Sequence, residues 1–255
     1  MSEVVPGLRH FADYFRGHSD QFVIIGGVAT NYFLVENDLV GRRTRDIDLA
    51  VLANPNQPFA DKLREYVTAG GYQIESDAGG HARNYRFRNP QVVDFPKQVE
   101  IFSTAPLSLQ LRPGQTIVPF ATSPGLQSLS AILMDDDYFT LVKATLVVRE
   151  GMPLLSSDGL VPLKARAFLD LDRRRRDGER IDGADIKKHR NDVFRLLQTF
   201  GLETFVLPES IKTDLRSFAN HPEITALDIG TLSSIVPVAG SIDAALGLLV
   251  EHFDL

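Results

Sequence analysis

Hydrophobic and polar positions follow two different periods along this chain, and the change of period divides it. Near the start, Leu8, Phe11, Ala12 and Phe15 recur at helical spacing and predict an amphipathic helix between Pro6 and Gly17. Phe22 to Ile25 is short and wholly apolar, as in a buried strand, and Val28 to Val35 continues as a buried helix. A second apolar run ending at Leu52 is interrupted by Asp46 and Asp48. Pro58 to Ala69 predicts a helix that turns Phe59, Leu63 and Val67 inward and stops at Gly70 and Gly71. Tyr72 to Glu75, Asn84 to Arg88 and Gln98 to Ser103 are short segments split by Gly, Asn and Pro, as in adjacent antiparallel strands. Thr116 to Phe120 predicts a further strand, Leu126 to Met134 a short apolar helix, and Asp135 to Asp137 a solvated turn. Tyr138 to Val148 is β-rich, and Glu150 to Pro153 predicts a turn.

Beyond that turn the spacing becomes helical. Ser157 or Asp158 can cap a helix containing Leu163, Lys164, Ala167 and Leu171. A second helix is expected from about Ala184 to Phe200, with Ile186, Val193, Leu196 and Leu197 inward and Lys188, His189 and Asp192 among its polar residues. The tail from Leu207 offers amphipathic helices, notably Ile242 to Phe253, suited to packing or partner contact. These patterns predict an α+β chain with a small mixed or antiparallel sheet flanked by helices over residues 1–150, and a mostly helical region over 151–255.

Composition narrows the classes. The hydrophobic share of 44% and charged share of 24% are ordinary for a globular protein. No apolar run is long enough to cross a bilayer, and the N-terminal residues lack a basic stretch followed by an apolar one, which predicts a cytoplasmic protein with no membrane partner. The absence of Cys removes disulfides, thiolate zinc sites and cysteine nucleophiles. A net charge of −6 argues against an overall nucleic-acid-binding surface. The exception is local: Lys164 to Arg190 holds ten Lys/Arg against six Asp/Glu, while Gly201 to Leu255 holds two against eight. Arg173 to Arg176 fit an exposed helix end, and Arg-rich patches of this kind can also contact an RNA backbone.

The candidate chemistry lies between Phe22 and Leu52. In an extended segment Asp46 and Asp48 share one face and Ile47 and Leu49 take the other. Two adjacent carboxylates repel unless a cation lies between them, so the pair suggests oxygen ligands for a hard divalent ion such as Mg2+. Gly26 and Gly27 suit a tight turn whose backbone N–H groups approach phosphate oxygens at the start of a helix. Arg42, Arg43 and Arg45, in the loop just before Asp46, sit beside that proposed phosphate site as candidate contacts. Val99-Glu100-Ile101 sets one acid between apolar neighbours, and Asp94 is the alternative as a third carboxylate.

Gly26-Gly27 followed by Thr44-Arg45-Asp46-Ile47-Asp48 resembles the signature of the nucleotidyltransferase (DNA polymerase β-like) superfamily. The later stretches LVPLKARAFLDL and KKHRNDVFRLL are similar to the second half of the AbiEii-type nucleotidyltransferase toxins, effectors of abortive-infection toxin–antitoxin systems. The resemblance spans roughly Phe22 to Leu197 and finds no counterpart for the tail beyond Gly201. It implies a nucleotidyltransferase fold, two Mg2+ ions held by Asp46, Asp48 and Glu100, and an NTP substrate contacted by Gly26, Gly27, Thr44, Arg45 and Lys164. It also implies a later catalytic or structural Asp192, an RNA or tRNA acceptor and an antitoxin partner, with a protein hydroxyl or a small molecule as other acceptors. The expected activity is transfer of an NMP from an NTP to the acceptor. The alternative is a protein of this fold that binds nucleotide or a partner without turnover. A phosphohydrolase or serine hydrolase is disfavoured, since the six His are dispersed and no GxSxG motif occurs.

Overall fold

Among the described residues, eight short strands hydrogen-bond into one mixed sheet in the order β6-β3-β4-β5-β2-β1-β8-β7. They are β1 (Phe22–Ile25), β2 (Asp46–Val51), β3 (Gln73–Asp77), β4 (Asn84–Arg88), β5 (Gln98–Ser103), β6 (Ile117–Phe120), β7 (Leu146–Arg149) and β8 (Met152–Leu155). Pairing is antiparallel for β1/β2, β3/β4, β4/β5 and β7/β8, and parallel for β1/β8, β2/β5 and β3/β6. The computed structural model describes residues 5–41, 44–52, 57–77, 84–103, 117–120, 129, 132–133, 135–236 and 241–255. Arg42, Arg43 and most of the helix expected over Leu126 to Met134 lie outside them; Ile132 and Leu133 are helical and buried.

The fold is α+β. Helices α1 (Leu8–Tyr14), α2 (Gly26–Glu36) and α3 (Gln57–Ala69) intersperse with the first strands. After α4 (Asp136–Ala144) and the β7–β8 hairpin come α5 (Ser157–Arg176), α6 (Gly183–Leu197), α7 (Glu209–Ala219), α8 (Pro222–Thr225), α9 (Ile229–Ile235) and α10 (Ile242–Phe253). Contacts divide the chain into two units, Met1–Tyr32 with Val40–Ser123 and Leu146–Leu155, and Phe33–Leu39 with Pro124–Thr145 and Ser156–Leu255. The β7–β8 hairpin thus spans position 150 within one sheet. Among the described residues no helix is long and apolar enough to cross a membrane.

In the sheet unit, strand periodicity sorts the side chains. The register rows Ile24–Leu49–Ile101–Tyr85 and Ile47–Val99–Phe87–Ile74 are apolar and buried. Phe22, on this face, meets Phe11 and Phe15 of the α1 region at 6.0 and 5.9 Å and stacks on Phe59 of α3 at 5.6 Å. Each such buried ring contributes roughly 1.5–3 kcal/mol by leaving water. In the helical unit α5 packs on α6 and α7. Phe168, Phe194, Leu171, Leu196, Ile211 and Leu215 are fully buried there, and Phe168 meets Phe218 edge-on at 5.4 Å.

One segment departs from the expected elements. Tyr138 to Val148 was expected as β structure, yet Asp136–Ala144 is α4 and the strand begins at Leu146. The Asp135 side chain caps this helix by accepting from the Asp137 and Tyr138 N–H groups at 3.0 and 3.2 Å. Asp136 and Asp137 then fall in the first turn, where the helix dipole favours acids. Tyr138, Leu141 and Val142 are spaced to bury one helical stripe. Asp135 to Asp137 are therefore a helix start, and the adjacent β-branched residues were overridden by capping and packing. The hairpin turn is narrower than expected: Glu150 and Gly151 both have positive φ, 50° and 80°, as a two-residue turn with strand-matching twist requires. Met152 and Pro153 already belong to β8.

Candidate functional site

The polar face of the sheet carries two register rows. Asp48 lies opposite Ile25 on β1 and opposite Glu100 on the parallel strand β5; Glu100 lies opposite Arg86 on β4, and Arg86 opposite Glu75 on β3. The next row runs Asp46–Gln98–Arg88–Gln73. Asp46 and Asp48 are half-buried on the same face. Alternation along β2 aims both carboxylates away from the aromatic core, as the sequence pattern required.

Gly26 stands against this pair. Its φ is +68°, and a β-carbon added there would lie 2.0 Å from Asp48 Oδ2. A side chain there would force Asp48 to shift, and few residues tolerate that backbone angle, which favours glycine. Helix α2 begins at Gly26, which brings the positive end of its dipole towards the Asp48 carboxylate. Thr30 Oγ1 donates to the Gly26 carbonyl at 2.7 Å, and Gly27 is buried. Thr44 and Arg45 precede β2 without regular structure, Thr44 half-buried and Arg45 exposed.

Glu100 is on β5 beside Asp48, 8% exposed, while Asp94 sits exposed in the turn before β5. The Glu100 carboxylate already has cationic company: Arg86 Nε donates to Oε1 at 2.7 Å, and Gln98 Nε2 donates to the same oxygen at 2.9 Å. Arg86 Nη1 is also 3.8 Å from Glu75 Oε2, and Arg88 Nη2 is 2.5 Å from Glu75 Oε1. Among the described residues, no group of three or more His, Asp or Glu is placed to hold a metal ion. The donor chemistry of Asp46 and Asp48 fits a hard divalent cation, whereas Glu100 is placed as the counter-ion of Arg86.

Lys164 and Asp192 meet within the helical unit. Lys164 on α5 is 5% exposed, Asp192 on α6 is 0% exposed, and Lys164 Nζ donates to Asp192 Oδ2 at 3.0 Å. Arg195 Nη1 adds a weaker contact to Asp192 Oδ1 at 3.6 Å. Arg173 to Arg176 are engaged internally: Arg173 with Asp170, Arg174 with Glu179, Arg175 with Asp172 and Glu223, and Arg176 with Asp172. The Arg174 guanidinium holds Glu179 below the usual carboxylate range. Burial lowers the Arg190 pKa.

No family model and no curated protein matches this chain. Among solved structures, the crystal structure of the Megavirus polyadenylate synthase superimposes with a TM-score of 0.42 at 13% identity, covering 86% of this chain and 38% of that one. This chain therefore spans well under half of that protein's length, and a likeness this distant decides nothing about activity. The resemblance to the AbiEii-type family rests on the motifs alone.

Arg86, Arg88 and Glu75 were not singled out from the sequence. Their signal was there in the alternation Tyr85-Arg86-Phe87-Arg88, which sends two arginines to the face opposite two buried rings. What periodicity could not supply was the register that sets Arg86 against Glu100.

Proposed function

We propose that this chain is a Mg2+-dependent nucleotidyltransferase that moves a nucleoside monophosphate from an NTP to a hydroxyl acceptor. The observation that carries the reading is the close fit of Gly26 against Asp48, with Asp46 on the same face and the N-terminus of α2 at the glycine. A helix start bared of side chains suits phosphate oxygens, and two half-buried carboxylates suit the accompanying cation. Asp46 and Asp48 would hold the ion, which when bound neutralises phosphate charge and stabilises the leaving pyrophosphate. In the transfer, the acceptor oxygen bonds to the α-phosphorus, the bridging α–β P–O bond breaks, pyrophosphate departs with that electron pair, and the acceptor proton passes to solvent.

The Gly26-Gly27 turn binds and orients the triphosphate, with Thr44 and Arg45 as flanking donors. Lys164 and Asp192 are read as a structural ion pair of the helical unit. RNA, including a tRNA end, is the acceptor class that the motif resemblance favours, and a toxin role under an antitoxin's control goes with it. Asp46→Asn combined with Asp48→Asn is expected to abolish pyrophosphate release from NTP in the presence of Mg2+ and total RNA. Undiminished release in that variant overturns the reading. A second reading, nucleotide binding without turnover, is favoured by the Arg86–Glu100 ion pair, since among the described residues no group of three acids is placed to hold a metal. Calorimetry showing NTP binding with no turnover on any acceptor supports it.

A further inference from the structure

Arg190 on α6 is a buried cation that the ion pairing of the helical unit leaves over. It is 8% exposed, nearly as enclosed as Lys164. Lys164 meets Asp192 at 3.0 Å, whereas no acid among the described residues lies within ion-pair distance of Arg190. The Arg190 Nε donates to Asn191 Oδ1 at 3.1 Å, and its two Nη groups meet no acceptor among the described residues. Burial pulls the Arg190 pKa down, and the charge of Glu223 on α8 opposes that pull. Glu223 is itself bonded to Arg175 Nη2 at 2.6 Å, and Asp172 is engaged by Arg175, Arg176 and His221. A guanidinium stays charged at any ordinary pH, and enclosing one without a matching anion is costly.

Its neighbours on α6 are donors. Lys187 stands three positions before Arg190 and four before Asn191, so the three side chains leave one side of the helix. Lys187 is exposed, Asn191 half-buried and Arg190 buried, which grades the donors from rim to wall. With its Oδ1 taken by Arg190, the Asn191 amide has its NH2 group to offer. One turn before Lys187, Arg175 Nη1 lies 3.7 Å from the place a Gly183 β-carbon would take, so a further cation borders the same side. We infer that Arg190, Lys187 and Asn191 form a binding site for a phosphate group. A guanidinium fork grips two phosphate oxygens, and the tetrahedral arrangement leaves others for an amide and an ammonium. The two coplanar oxygens of a carboxylate suit the fork alone. The phosphate comes from a free phosphate ion or from the backbone of a single-stranded RNA. This site goes beyond the proposed function and needs neither the cation nor Asp46 and Asp48.

Two probes test it on the full chain, in EDTA and without NTP: inorganic phosphate by calorimetry, and a short labelled oligouridylate by fluorescence anisotropy. Arg190→Met is expected to weaken binding about tenfold or more, the loss of a charge-assisted fork. Its thermal midpoint is expected to equal or exceed that of wild type, because the enclosed position no longer carries an unmatched charge. Lys187→Gln is expected to weaken binding by a few-fold, and Glu223→Gln, which removes the acid whose charge reaches Arg190, to tighten it. Phosphate bound without RNA supports a site for the free ion. RNA bound with a salt slope that falls by roughly one in Arg190→Met supports a backbone phosphate. Binding of neither probe, or affinities that Arg190→Met leaves unchanged, overturns the proposal. If Arg190→Met loses stability or does not fold, Glu223→Gln decides: tighter binding supports the site, and weaker or unchanged binding makes Arg190 structural. Pyrophosphate release is not read in these assays, so either reading can fail while the other stands.

Discussion

The Asp46, Asp48 and Glu100 carboxylates on one face of the sheet and the Lys164–Asp192 pair of the helical unit both place charge beside apolar neighbours, and they differ in what stands against that charge. In the helices Lys164 and Asp192 are 5% and 0% exposed and joined at 3.0 Å, with Arg195 at 3.6 Å from the same acid. On the sheet two carboxylates stand half-buried on one face, Asp48 close against Gly26, and the neighbouring Glu100 is bonded to an arginine. A closed, matched pair specifies how two helices meet. On the sheet the acids instead gather on one face beside a helix start.

That contrast is tested most strongly by Asp192→Ala. It strands a buried ammonium, and the expected cost is about 3–5 kcal/mol in urea unfolding. Replacing both partners, Lys164→Met with Asp192→Leu, is expected to restore most of that stability. A loss below about 1 kcal/mol for Asp192→Ala is the range of an exposed ion pair and contradicts the matched-pair description. Gly26→Ala comes next, at about 1–3 kcal/mol for a left-handed backbone angle combined with a clash on Asp48. It is also expected to weaken Mn2+ binding; if stability falls and metal binding does not, the contact is structural alone.

Asp46→Asn with Asp48→Asn is expected to show the reverse signature, unfolding free energy within about 0.5 kcal/mol of wild type while Mn2+ binding and pyrophosphate release are lost. A large destabilisation would place these carboxylates with Lys164 and Asp192 rather than in contrast to them. The smallest effect is a pH dependence at the start of α9. Asp228 caps α9 by accepting from the Thr231 hydroxyl at 2.7 Å and the Thr231 N–H at 2.8 Å, and the Thr231 contacts hold its pKa below the usual carboxylate value. A depressed folded pKa means its contribution is full above the unfolded value and is lost as pH falls through the folded one. Wild type and Asp228→Ala should therefore differ slightly in thermal midpoint at neutral pH and converge under acid conditions.

Much of the sheet unit was legible because its cues are local. The alternation of Asp46-Ile47-Asp48-Leu49 sets the faces of β2 whatever surrounds it, and Gly26 follows from a conformation few other residues adopt. The three segments from residue 73 to 103 pair antiparallel as their punctuation implied. Segment 138–148 was misread because Tyr138, Val142, Val147 and Val148 suit a strand by propensity, while the cap from Asp135 and the burial of Tyr138, Leu141 and Val142 favour a helix. In the helical unit, Lys164 beside Leu163 and Ala165 signalled a partner, but a gap of 28 positions hid that the partner is Asp192.

By itself the sequence determined the faces of the strands, the glycine at the start of α2 and the candidate carboxylates, since each depends on geometry within a few consecutive residues. The tertiary structure alone decided that Glu100 faces Arg86, that Arg86 also reaches Glu75, and that Lys164 meets Asp192. Those pairings depend on strand register and helix packing, which are set by the burial of the whole core and by no local pattern.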